Sequence, residues 1–118
     1  MRFIPTRVHG VLDYVVGLVL LLLPFVLGLQ RGGFWALLAL GALGIVYSLV
    51  TDYELGVVRY LCIRFHLVLD ALMGIALLVM PWLSDIPGDS RWPMITIGIL
   101  ALILSFTTHT QADGTAAA

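Results

Sequence analysis

Two histidines and two aspartates recur at one spacing: His9 and Asp13 lie four residues apart, and so do His66 and Asp70. On a helix, residues four apart share a face, so each pair presents an imidazole and a carboxylate side by side. Three kinds of chemistry follow from such a pairing. Each aspartate can orient its histidine while hydrogen bonds between the two pairs lock two segments together, since buried polar groups need partners. Two imidazoles and two carboxylates at equal depth can ligate zinc or iron, and His9 and His66 can ligate a haem from opposite sides. Two facing carboxylates with two histidines can also hold and exchange protons along a proton-linked solute path. Nothing resembles a nucleophile beside its base, a phosphate-cradling loop or a dinucleotide fingerprint, so no enzymatic activity is expected.

The two pairs belong to a longer correspondence. Arg7, His9, Asp13, Gly17 and Pro24 reappear as Arg64, His66, Asp70, Gly74 and Pro81, each 57 positions on and without a gap. The same offset relates Trp35 to Trp92, Gly41 to Gly98, Leu43 to Leu100 and Ser48 to Ser105. The chain therefore reads as a tandem duplication, with residues 1–57 as the first repeat and 58–118 as the second.

The elements that must position these residues are apolar. With 118 residues, 61% hydrophobic and 11% charged, the chain carries more apolar surface than a soluble domain of its size encloses. Four stretches approach the length of a bilayer crossing, which takes about 20 residues: roughly 8–29, 34–51, 60–83 and 93–110. The first is too long for a signal-peptide core and has no small-residue cleavage site after it, so it is expected to stay as the first span. Each repeat is then a helical hairpin closed by a short loop, around Gly32-Gly33 in the first and Pro87-Gly88 in the second. Two crossings per repeat make the hairpins parallel, related by a pseudo-two-fold axis along the membrane normal. The resulting fold class is an all-α integral membrane bundle.

Positions 9, 13, 17, 20 and 24 fall within roughly 80° of one another on a helix, as do 66, 70, 74, 77 and 81. Charge is disfavoured against lipid, so the two stripes are expected to face protein and one another, with Gly17 and Gly74 letting the two backbones approach. Pro24 and Pro81 are expected to kink their helices, and Arg7 and Arg64 to snorkel at the membrane edge. Gly41, Gly44 and Ser48, matched by Gly98, Ala101 and Ser105, form a small-residue face suited to close packing within or between protomers.

The six basic residues are all arginines; Arg2, Arg7, Arg59 and Arg64 fall on the side of the N-terminus and central connection, Arg31 and Arg91 on the other. Both termini are accordingly expected in the cytoplasm. No basic patch invites nucleic acid, and the single cysteine, Cys62, excludes an internal disulfide. Tyr14, Tyr47, Tyr53, Tyr60 and the tryptophans read as interfacial belts. The connection from Thr51 to Tyr60 reads as a short interfacial helix or a solvated loop, and the tail from Gln111 as disordered.

Each repeat places a proline late in its first span, as Leu23-Pro24-Phe25 and Met80-Pro81-Trp82, after an opening histidine and aspartate. In this the chain resembles the SPW-repeat family of small bacterial membrane proteins, although Leu23 and Met80 replace the serine and Phe25 the first tryptophan. The resemblance covers almost the whole chain and implies a bacterial inner-membrane location, with no catalytic residues to carry over. The expected function is a non-enzymatic membrane protein acting by helix packing, as a homo-oligomer or an accessory subunit, with the lipid bilayer as its surroundings and no cofactor. The alternative is a ligand site for metal, haem or a proton-linked solute at His9, Asp13, His66 and Asp70.

Overall fold

The computed structural model describes residues 2–53, 55–84 and 86–109. The tail from Gln111 and the acidic residues Glu54, Asp85 and Asp113 lie outside the described residues. Four helices follow in order: α1 (Thr6–Val26), α2 (Arg31–Leu49), α3 (Ile63–Leu83) and α4 (Trp92–Thr107), with a 3-10 turn at Gly88–Ser90 before α4. Three of them, α1, α2 and α3, are long and apolar enough to cross a membrane. At about 1.5 Å per residue, α1 and α3 extend about 32 Å, close to the thickness of a bilayer's hydrocarbon core.

The fourth expected span differs. α4 has 16 residues, and Thr108 is extended rather than helical. The cause is local: Ile4 N donates to Thr107 O at 2.9 Å and His109 N to Ile4 O at 2.9 Å, so the segment before α1 pulls the chain out of its helix. The same pattern closes α2, where Leu61 N donates to Val50 O at 2.8 Å and Asp52 N to Leu61 O at 2.6 Å. These two pairings differ by 57 positions at one partner and, taken cyclically, at the other.

α1 begins at Thr6 instead of 8 and ends at Val26 instead of 29. Gly28, at φ 65°, takes the left-handed conformation that stops a helix and that a side chain would oppose. Pro24 and Pro81 are buried inside their helices, each two residues from the helix end. Leu29 N donates to Pro24 O and Ile86 N to Pro81 O, both at 3.0 Å, so both termini close alike.

α1 packs along α2 and α3 along α4, with a lesser contact between α2 and α3. At both hairpin crossings glycine meets glycine. A Cβ on Gly41 would lie 2.9 Å from Gly17 O, and one on Gly74 2.8 Å from Gly98 O, closer than real Cβ atoms approach. This corrects the expectation that Gly17 and Gly74 bring α1 and α3 together: each lets its own hairpin close. The tight loops force the helices of one hairpin side by side, so the nearest backbone is the hairpin partner's. The small-residue face of α2 and α4 is in this way occupied within the protomer, with Gly41, Gly44, Ser48, Gly98 and Ser105 buried and Ala101 half-buried.

Leu20, Leu37, Leu77 and Met94 are fully buried in the apolar core shared by the helices. Large side chains such as Leu18, Leu22, Leu72 and Ile103 point outward. Among the described residues, the connection from Thr51 to Cys62 contains no helix. Its first half is packed rather than solvated, whereas Val57, Val58, Arg59 and Tyr60 are exposed. Tyr53 is fully buried, Tyr14 Oη donates to Leu55 O at 2.8 Å, and Leu55 and Tyr53 cover the face of α1 that Gly10 leaves open.

Candidate functional site

His9 and Asp13 open α1, and His66 and Asp70 open α3; both stripes face inward. The stronger contacts run between the helices rather than along them. His9 Nε2 lies 2.5 Å from Asp70 Oδ2 and His66 Nε2 2.6 Å from Asp13 Oδ2, each pair hydrogen-bonded. The contacts along each helix are longer, at 3.1 Å for His9 with Asp13 and 3.2 Å for His66 with Asp70. Four atoms therefore form a closed ring in the order His9, Asp70, His66, Asp13, with like residues opposite one another.

Two threonines define the other edge of each imidazole. Thr51 Oγ1 lies 2.7 Å from His66 Nδ1 and donates to Tyr47 O at 2.6 Å. Thr108 Oγ1 lies 2.7 Å from His9 Nδ1 and donates to Leu104 O at 2.6 Å. A hydroxyl has one proton, and each threonine commits it to the carbonyl one turn back, so each Nδ1 must be the donor to its threonine. One proton shared between Nε2 and Oδ2 in each cross-helix pair then leaves that pair neutral overall, whichever atom carries it. Neutrality matters here, because unpaired charge in an apolar interior is strongly disfavoured.

The ring is not symmetric in its surroundings. Tyr47 Oη donates a short hydrogen bond to Asp70 Oδ1. The residue 57 positions after Tyr47 is Leu104, which has no hydroxyl to offer Asp13. His66 is also flanked by the rings of Tyr47 and Tyr53, at centroid distances of 5.0 and 5.3 Å. Burial pushes the Tyr53 phenol, which lies in the connection, above its ordinary range. The cavity above the ring, lined by Asp13, Asp70, Leu20, Tyr47, Met73 and Leu77 among others, has a volume of about 30 Å³. That is room for a water or two, and far less than a porphyrin requires.

Of the residues singled out by sequence, the four ring members come together. Arg7 and Arg64 stay exposed, and the structure gives them no partner in the ring. Tyr47 and Tyr53, expected in an interfacial belt, are buried beside His66. Thr51 and Thr108 were not singled out, although the offset of 57 relates them too.

The described residues thus carry a ring of two His-x3-Asp pairs between two hairpins, each with an in-helix proline. The model of the SPW repeat domain matches residues 7–108. The chain belongs to the SPW repeat family. No curated protein and no solved structure matches it. The SPW match runs from Arg7 to Thr108, so both histidines and both of their threonine partners lie inside it.

The threonine hydroxyls can be tested directly. Thr51→Val keeps the shape but leaves His66 Nδ1 without an acceptor, and should destabilise the protein by about 1–3 kcal/mol, whereas Thr51→Ser should stay near wild type. Thermal unfolding in mild detergent measures the difference; equal losses for valine and serine would mean that the hydroxyl is not what matters.

Proposed function

We propose that this SPW-repeat protein is a non-enzymatic, multi-pass protein of the bacterial inner membrane that acts by helix packing, as a homo-oligomer or an accessory subunit of a membrane complex. The observation that carries the reading is the division of its side chains. The ionisable groups within the bundle are committed to one another in a closed ring, and the outer faces of the helices are apolar. Among the described residues such an arrangement offers neighbours a hydrophobic surface, while the ring's polar groups are turned toward one another.

Its ends support a membrane placement. Exposed Trp35, Trp82 and Trp92 lie near the hairpin turns, with the Arg91 guanidinium 5.0 Å from the Trp82 ring, as interfacial anchors do. Arg7, Arg59 and Arg64 lie at the opposite end, and by the positive-inside rule this bias supports a cytoplasmic side for both termini. The hairpins act as two tandem repeats about a pseudo-two-fold axis along the membrane normal, with the ring near the cytoplasmic side. α4, at about 24 Å, crosses with the help of the extended residues that follow it.

The test is cross-linking in native membranes combined with size analysis in mild detergent. Discrete oligomers, or one stoichiometric membrane partner, are expected. A strictly monomeric protein under both conditions would overturn the reading. Reporter fusions at both ends should report the cytoplasmic side.

A further inference from the structure

We propose that the His9–Asp70–His66–Asp13 ring is a binding site for one divalent first-row transition-metal ion. This goes beyond the packing function above and does not depend on it. The argument begins with donor geometry. The four donor atoms all lie within 4.8 Å of one another. Adjacent donors around a metal at about 2.0–2.1 Å stand about 2.9 Å apart when their bonds are at right angles. The ring's edges of 2.5, 3.2, 2.6 and 3.1 Å bracket that separation. A tetrahedral site would need edges of about 3.3–3.4 Å, longer than any of them. The edges therefore suit an ion held by two imidazoles and two carboxylates at near-right angles between neighbours, histidine opposite histidine.

The outer contacts are those that a ligating histidine needs. Each Nδ1–H is held by a threonine hydroxyl whose own proton is fixed on a backbone carbonyl, which leaves Nε2 for the metal. Tyr47 orients Asp70 through its other oxygen. The adjoining cavity of about 30 Å³ can hold a water as an axial ligand.

Charge and softness narrow the ion. A dication in place of the two protons shared between Nε2 and Oδ2 leaves the cluster neutral, so loading exchanges one ion for two protons. Two nitrogens and two oxygens with no thiolate disfavour copper(I), and calcium and magnesium prefer sites built wholly of oxygen. Manganese(II), iron(II), cobalt(II), nickel(II), copper(II) and zinc(II) remain.

The experiment uses the full chain in mild detergent, stripped with a chelator and titrated with cobalt(II). The expected result is one cobalt per chain with visible d–d absorption, displaced by zinc(II) and lost in the His9→Ala, His66→Ala double variant. Because that variant can fail to fold, Thr51→Val supplies a second reading. It retains all four ligands and should weaken cobalt binding about 10- to 100-fold. Folded wild-type protein that takes up no stoichiometric cobalt overturns the proposal. So does binding that survives undiminished in the double-histidine variant.

Discussion

Asp70→Ala should destabilise the bundle by about 3–5 kcal/mol, because it removes the closer carboxylate from His9, leaving it Asp13 at 3.1 Å alone, and leaves the buried Tyr47 hydroxyl without its carboxylate acceptor. Asp13→Ala should fall short of this by about 1.5–3 kcal/mol. Asp13 has no tyrosine partner, and its side chain keeps 13% of its exposure against 7% for Asp70. The check is thermal or denaturant unfolding of both variants in the same mild detergent, followed by far-UV circular dichroism. The ring's sequence symmetry predicts equal effects, and its surroundings predict unequal ones, so equal losses would refute the role given to Tyr47. Asp70→Asn separates charge from shape. Its amide oxygen can still accept from Tyr47 or from His9 but cannot share a proton with Nε2 as a carboxylate does, so the loss should be intermediate.

That contrast also shows where sequence was informative. His9, Asp13, His66 and Asp70 were legible because a helix puts residues four apart on one face, and because ionisable groups in apolar segments have few places to go except toward each other. Which aspartate each histidine prefers was not legible. The spacing allows contacts along the helix, yet the shorter ones run between α1 and α3, where the carboxylates face the imidazoles across the gap. Thr51 and Thr108 obeyed the repeat but sat just past helix ends, where helical periodicity says nothing about direction. Tyr47 broke the repeat, and a residue without a counterpart leaves no trace in a comparison of halves. The central connection was hardest: its order comes from Tyr53 and Leu55 packing over Gly10, a contact between segments far apart in sequence. Helix existence was legible throughout, while boundaries moved by two or three residues wherever a backbone pairing, as at Thr51 and Thr108, overrode apolar length.

Gly98→Leu should have an effect of similar size, about 3 kcal/mol or more, for a different physical reason. A Cβ at Gly98 would lie 2.8 Å from Gly74 O and 3.1 Å from Leu78 Cγ. The first of these is backbone, which a rotamer change cannot clear, so α3 and α4 must separate along the crossing and give up packing on both sides of it. Gly98→Ala should cost about 1–3 kcal/mol, because the methyl alone already requires that movement. Gly44→Ala is the control on the same kind of surface. Its added methyl would meet only Met73, at 3.4 Å from Cε and 3.6 Å from Sδ, and a methionine end can yield. Melting temperatures of the three variants in mild detergent should therefore fall in the order Gly44→Ala, Gly98→Ala, Gly98→Leu, with the first close to wild type. If Gly98→Leu melts with wild type, the hairpin is not closed by its glycine crossing and the small-residue face is free for another partner. If instead the predicted order holds, the two hairpins are closed units before they meet. The His–Asp ring then joins finished hairpins, which is why its polar side chains, and not its glycines, bridge the gap between the two hairpins.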